Sequence, residues 1–273
     1  MKQLRSSFKD FRQVFDQGLS VRYIAEPLYS FDTQMDAEEV QKIMKQNEFD
    51  VAGIREGGSI TGMVIRKNLG SGMLGKFKEE INNNSYVQDW EPMLNVLESL
   101  KNHQQLFVLA MGEVFGIVML GDLQKAPVRM WFFGVVSLLE MQLLRVIRIT
   151  FPNEEWKNCL IEERLEMAEN IFSQRKEQNI EIDLADCLQL ADKIVLVLEN
   201  EQVMKALGIE SKSQGNKLLG KLERLRNDLA HSQDFVTGRW PELVDLMKRA
   251  EKFIEKCETY NPKKINLQNP PLI

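Results

Sequence analysis

Late in this 273-residue chain, the run Leu222-Glu-Arg-Leu-Arg226-Asn227-Asp228-Leu-Ala-His231 gathers side chains suited to phosphate chemistry. It holds one of the only two histidines present. An imidazole with an unperturbed pKa of about 6.5 can give or take a proton near neutral pH. A guanidinium supplies planar, paired hydrogen bonds to phosphate oxygens as charge builds on them. The plainer alternative is that Arg226 and Asp228 are surface charges and that His231 simply favours a helix C-terminus. Geometry constrains the chemical reading. On a straight helix, residues five apart point about 140° away from each other, whereas Asn227 and His231, four apart, share a face. Arg226 and His231 therefore converge only if the helix frays near Ala230 or if two copies of the motif meet across a dimer.

The elements that must hold this motif are helical. From Pro127 onward, the pattern predicts a helix over 128–150, a second opened by Asn153 with Glu154 and Glu155 in its first turn and running to about Lys176, a third from Asp183 to Leu207, a fourth from Gln214 to Ala230, and a fifth from Trp240 to about Tyr260. Five helices with short connections favour an antiparallel bundle. The motif closes the fourth, whose Leu218, Leu222, Leu225 and Leu229 form one apolar stripe. In this setting Arg226, Asn227 and His231 resemble the R-N-x-x-A-H signature of the HEPN helical-bundle family, over about residues 127–260. The resemblance implies a metal-independent endoribonuclease that leaves 2′,3′-cyclic phosphate and 5′-hydroxyl ends, works as a homodimer, and belongs to toxin, stress or antiviral defence systems. Attack by a neighbouring 2′-hydroxyl would exclude DNA as substrate. Structured RNA or tRNA is the expected target.

The first half carries an internal repeat. Gly58-Ser-Ile-Thr-Gly-Met-Val-Ile-Arg-Lys-Asn-Leu69 matches Gly112-Glu-Val-Phe-Gly-Ile-Val-Met-Leu-Gly-Asp-Leu123, with Gly58/Gly112, Gly62/Gly116, Val64/Val118 and Leu69/Leu123 identical. An amphipathic stretch and a β-rich run precede each copy (37–46 and 51–54; 93–100 and 106–109), so the unit reads helix, strand, turn, strand, helix, twice. These residues resemble the tandem CBS module, over roughly residues 20–126. The resemblance implies a regulatory adenine nucleotide such as AMP, ADP or ATP, with Asp122 accepting from ribose hydroxyls and Gly116 and Met119 beside it. Two positions depart from the family. Its usual threonine is Met119 in the second copy and Ile65 in the first, and Asn68 replaces the first copy's aspartate. A thioether is only a weak acceptor where a hydroxyl would donate and accept. Asp122 could equally cap a helix.

The expected fold is therefore α+β: a helical segment at 1–19, a tandem α/β module at 20–126, an all-α bundle at 127–260 and a tail at 261–273. With 35 basic against 40 acidic residues, the chain has no global polycation to coat nucleic acid. From Glu201 to Arg226, however, six basic residues face three acidic ones, a local excess leading into the motif. Three scattered cysteines argue against a disulfide framework or a cysteine zinc site and suit a reducing cytoplasm. The apolar run 130–149 carries Glu140, Gln142, Arg145 and Arg148, so a buried helix is expected rather than a membrane span, with Glu140 and Arg145 as a polar pair at a dimer seam. Trp131, Phe132 and Phe133 read as core or interface aromatics, and His103 as a solvated loop residue. The functional expectation is an endoribonuclease, needing no catalytic cofactor, under the control of an adenine nucleotide. The alternative is a non-catalytic nucleotide sensor whose bundle serves dimerisation or partner docking.

Overall fold

The computed structural model describes residues 7–262 apart from 232, 233 and 235. The expected tail at 261–273 lies almost wholly outside the described residues. The fold is α+β, and the chain divides into two compact units, Val14–Val128 and Arg129 onward together with the residues up to Gln13. Helix α1 (Phe8–Gly18) opens the chain.

In the first unit, β1 (Glu26–Pro27) and β2 (Ser30–Asp32) precede α2 (Ala37–Gln46) and the hairpin β3 (Val51–Glu56) and β4 (Ser59–Ile65). Then β5 (Tyr86–Gln88), α3 (Met93–Ser99) and the hairpin β6 (Gln105–Ala110) and β7 (Glu113–Met119) repeat the plan. Helix α2 begins where the Asp36 carboxylate accepts from the amides of Glu38 and Glu39, both at 3.0 Å, satisfying donors the first turn leaves open. Its Val40 and Met44 are buried against Ala52, Ile54 and Val64 of the hairpin, each burial contributing about 1.5–3 kcal/mol before entropy is counted.

The duplication is closer in structure than in sequence. Val51 pairs with Ile65 as Gln105 pairs with Met119, and both hairpins shift register after the same residue, Ile54 and Val108. Both turns hold two consecutive residues at positive φ, Gly57 with Gly58 and Met111 with Gly112, as the twist-matched two-residue hairpin turn requires. Each sheet also gains a short parallel strand, β2 on β3 and β5 on β6. The helix expected after each hairpin is instead a 3₁₀ turn, at Arg66–Asn68 and Leu120–Gln124.

Outer partners complete the duplication. Glu26 of β1 sits opposite Ile117, and Glu79 bridges the matching residue Met63. Gly62 and Gly116 make these approaches possible. A Cβ on Gly116 would lie 2.9 Å from the Glu26 carbonyl oxygen, and one on Gly62 would lie 2.8 Å from that of Glu79. Leu28, Ile81, Phe107 and Ile117 form a core shared by the two copies, with Met63 and Met119 at its edge.

The second unit is helical: α4 (Ala126–Thr150), α5 (Glu162–Glu177), α6 (Leu190–Glu199), α7 (Glu201–Leu207), α8 (Lys212–Ala230) and α9 (Trp240–Thr259). Helix α4 has the length and apolar composition of a membrane span, but just over half of its apolar window is buried among neighbouring elements. Phe132, Val136, Leu139, Leu143 and Ile147 are buried, and the Phe132 ring meets Trp131 and Trp240 edge-on. Phe133 stays exposed.

Three expectations change here. Asn153 and Glu154 adopt left-handed backbone inside a kinked 3₁₀ segment, Pro152–Cys159, anchored by buried Trp156. They do not open a long helix, because α5 begins only at Glu162. The third expected helix breaks into a 3₁₀ turn, α6 and α7, with Asn200 capping α7 through the Val203 amide. Glu140 and Arg145 do not pair with each other. Glu140 accepts from buried Lys193 at 2.7 Å, and Arg145 donates to the Cys257 carbonyl at the end of α9, 2.8 Å away.

Candidate functional sites

Two sites emerge, one in each unit. In the first, a cavity of about 350 Å³ is lined by Glu26 to Tyr29 around β1, by Glu48 to Val51 before β3, and by Ile117, Met119, Gly121 and Asp122 at the end of β7. That volume falls within the usual range for small-molecule sites, about 300–1,000 Å³. Tyr29 and Phe49, both in its lining, stack with ring centroids 4.5 Å apart and planes 26° apart, and Tyr29 is well exposed.

Asp122 sits at the core of this arrangement and already has two partners. One carboxylate oxygen accepts from the Met119 amide at 2.7 Å. The other meets Lys125 Nζ at 2.9 Å. An ionised carboxylate offers about four lone-pair sites, so acceptor capacity toward a ligand remains. Lys125 also donates to the Ile24 carbonyl and to Glu26. Burial opposes its charge, but the hydrogen bonds and charges of Glu26 and Asp122 outweigh that and raise its pKa above the ordinary lysine value.

Of the sequence-derived ligand residues, Met119 and Asp122 line the cavity and Gly116 does not. Gly116 serves β1 through the absence of a Cβ, as described above. Sequence reasoning missed Tyr29, Phe49, Glu48 and Asp50, which reach the site from other segments. In the first copy, Asn68 at the position equivalent to Asp122 donates instead to Glu79 Oε1 at 2.9 Å.

The second site is the end of α8. Ser211 caps its start by accepting from the Gln214 amide at 3.2 Å. His231 caps its end, its amide bonded to the Asn227 carbonyl at 3.0 Å. Arg129 Nη2 donates to the Leu229 carbonyl at 3.0 Å, which ties the start of α4 to the motif. The helix stays regular through Ala230, so fraying does not bring Arg226 to His231. Asn227 and His231 are exposed on one face. Arg226 is half-buried on another, and its Nε is shut from solvent with no hydrogen-bond acceptor among the described residues. An uncompensated buried donor of this kind is costly.

Burial pushes the Cys257 thiol up to about 12 and raises that of Cys187 as well, leaving neither as a ready thiolate. No cluster of His, Cys, Asp and Glu suited to a metal ion occurs among the described residues. His103 is half-buried, its Nδ1 3.2 Å from the Ser85 hydroxyl.

No family model matches the chain, and no curated protein matches it. Among solved structures, it is similar to the CBS domain of a bacterial CNNM/CorC family Mg2+ transporter in complex with ATP, with 13% identity and a TM-score of 0.36 over 43% of this chain and 92% of that one. It is likewise similar to CBS domains of a transcriptional regulator from Streptococcus pneumoniae (14%, TM-score 0.34, 38% and 96%). A third is an uncharacterized conserved protein from Pyrococcus horikoshii (14%, TM-score 0.36, 40% and 92%).

Proposed function

We propose that the Val14–Val128 unit is a CBS-type regulatory module that takes an adenine nucleoside or nucleotide in the cavity beside Asp122. The observation that carries this reading is the meeting, in one cavity, of a carboxylate with spare acceptor capacity and a stacked aromatic pair with an open face. The carboxylate suits a ribose diol and the aromatic face suits a base. The rest of the lining sets a charge preference. Glu26, Glu48 and Asp50 also face the cavity, and the cations bound to this lining, Lys125 and Arg66, are already shared with these acids. Adenosine and AMP are therefore expected to bind more tightly than ATP. Calorimetry tests this with wild type and Asp122→Asn, which can still accept from the Met119 amide. The variant should weaken binding about tenfold or more, the loss expected for a hydrogen bond to a charged acceptor. Absence of heat from every adenine compound, S-adenosylmethionine included, would sink the proposal.

For the helical unit we infer a metal-independent endoribonuclease of HEPN type, active as a homodimer in the cytoplasm, where three free cysteines would stay reduced. The observation favouring it is Arg226, whose Nε is sealed from solvent without a partner among the described residues, on the same helix end that exposes Asn227 and His231 on another face. In this reading His231 moves the proton of the attacking 2′-hydroxyl or of the leaving oxygen, Arg226 holds the phosphate, and Asn227 orients it. Met130, Phe133 and Met141 form an exposed apolar stripe on α4, a surface that a second copy would cover. Because Arg129 ties α4 to the end of α8, a copy seated on that stripe lies near the motif. A role in stress or defence, with structured RNA or tRNA as target, follows from the same resemblance. Incubating the protein with total RNA and a chelator, with and without adenine nucleotides, should give cleavage that Arg226→Ala and His231→Ala each abolish. No cleavage under any ligand condition would favour the non-catalytic sensor.

A further inference from the structure

Helices α8 and α9 lie antiparallel. Asp228 near the end of α8 meets Arg239 at the start of α9 at 2.9 Å, and Lys221 approaches Glu242 at 3.6 Å. Further along, Gln214, Gly215 and Leu218 face Arg249, Lys252, Phe253 and Lys256 across a second hollow. On α9 and its N-cap, Arg239, Glu242, Leu246, Arg249, Phe253 and Lys256 recur every three or four residues, and on α8 Gln214, Leu218, Lys221, Arg224 and Asp228 do the same. Two hollows therefore outline a groove along the seam between the helices, one of about 280 Å³ near Arg224 and another of about 180 Å³ near Lys252, the second walled also by Leu207, Gly208 and Ile209 at the end of α7. Its length along α8 is roughly 20 Å at ~1.5 Å per residue.

The charge along it is one-sided. Six cations line the two hollows: Lys221, Arg224, Arg239, Arg249, Lys252 and Lys256. The acids are Asp228 and Glu242, both paired within the groove. Arg249, Lys252 and Lys256 are exposed and have no acidic partner among the described residues. Close packing of Leu218 and Phe253 forms the floor. Three like charges held at helical spacing repel one another, and a fold bears that cost most readily where an anion relieves it. His231 follows Asp228 by three residues, so the Asp228 end of the groove is the end nearer His231.

We propose that this groove is a track for the backbone of single-stranded RNA, its far end the cation trio Arg249, Lys252 and Lys256 and its near end His231. The proposal rests on the ribonuclease reading for its polarity and extends it by naming where the strand lies away from the reacting phosphate. Phosphates seat on cations by counterion release.

The test separates binding from cleavage. Full-length His231→Ala protein, as a non-cleaving background, is titrated against a fluorescein-labelled uridine dodecamer across a salt series, followed by anisotropy. Adding Arg249→Ala, Lys252→Ala and Lys256→Ala should weaken binding and reduce the log–log salt slope by about 2, at about 0.7 for each phosphate contact on a single strand. Lys252→Glu with Lys256→Glu should abolish binding at moderate salt, while thermal melting stays at the background value because both side chains are exposed. An unchanged slope in the triple variant overturns the proposal. So does equal competition by polyglutamate, which would mark the groove as a site for acidic protein. If the trio weakens binding but wild-type protein cleaves no RNA, the track stands and the ribonuclease reading falls. If cleavage depends on His231 but binding ignores the trio, the reverse holds.

Discussion

Co-expressed Arg226→Ala and His231→Ala chains, purified as a heterodimer through two tags, are expected to cleave RNA although neither variant does so alone. The expectation comes from the regular end of α8. With the helix intact through Ala230, the two side chains point about 140° apart, so a site that needs both draws them from different chains. Each single variant should lose at least about 10²-fold in rate, the usual contribution of a proton-transfer group. In the heterodimer, one of the two symmetry-related sites combines an intact arginine from one chain with an intact histidine from the other. About half of wild-type activity should return in pure heterodimer, and about a quarter in an unsorted equal mixture. An inactive heterodimer would mean that each chain supplies its own pair, contrary to the geometry of α8.

The second large effect concerns stability. Lys193 on α6 is 5% exposed, and its ammonium meets Glu140 of α4 at 2.7 Å. Glu140→Leu removes that counter-charge and leaves a buried cation, which costs about 3 kcal/mol. The double variant Glu140→Leu with Lys193→Met should recover most of this, since two apolar groups of similar size replace the pair without an orphaned charge. Urea unfolding followed by tryptophan fluorescence reads both, three of the four tryptophans (Trp131, Trp156 and Trp240) being in the helical unit. A loss below about 0.5 kcal/mol in the single variant would show that water relieves Lys193 and that the pair does not hold α4 to α6.

These examples show what could be read from the residues. The two hairpins were legible because their turns need glycine at Gly58 and Gly112, and because apolar positions recur at matching offsets. The strands β1, β2 and β5 were not. Each has only two or three residues, too few for any period to show, and each exists only through a partner supplied by another segment. For the same reason Asp122 was legible as a candidate residue whereas Tyr29 and Phe49 were not, since their stacking depends on chain segments that meet only in the fold. The missed break at Asn153 shows a local signal misread. Asn followed by two acids suits a helix start, but asparagine also tolerates left-handed backbone, and burial of Trp156 selects that option. Arg226, Asn227 and His231 were legible as a motif, while the burial of Arg226 Nε was not, since it depends on what packs around α8. The cations of α9 stood in plain view at spacings of three and four, and became a groove only once α8 ran antiparallel beside them.

The exchange of outer partners between the two copies bears on the order in which the first unit forms. As the chain leaves the ribosome, Met63 finds Glu79 after a short wait, so the earlier copy can close at once. Glu26 must wait for Ile117, a far longer loop whose closure costs about 1.5 kcal/mol more in chain entropy. The union of β1 with β7 is thus the costlier of the two to close. Glu26 and Met119, on either side of that seam, both line the Asp122 cavity. A small molecule lodged there would act as a clasp, and its presence would register in the hydrogen-exchange protection of the Leu28 amide, which donates to the Phe115 carbonyl across that seam.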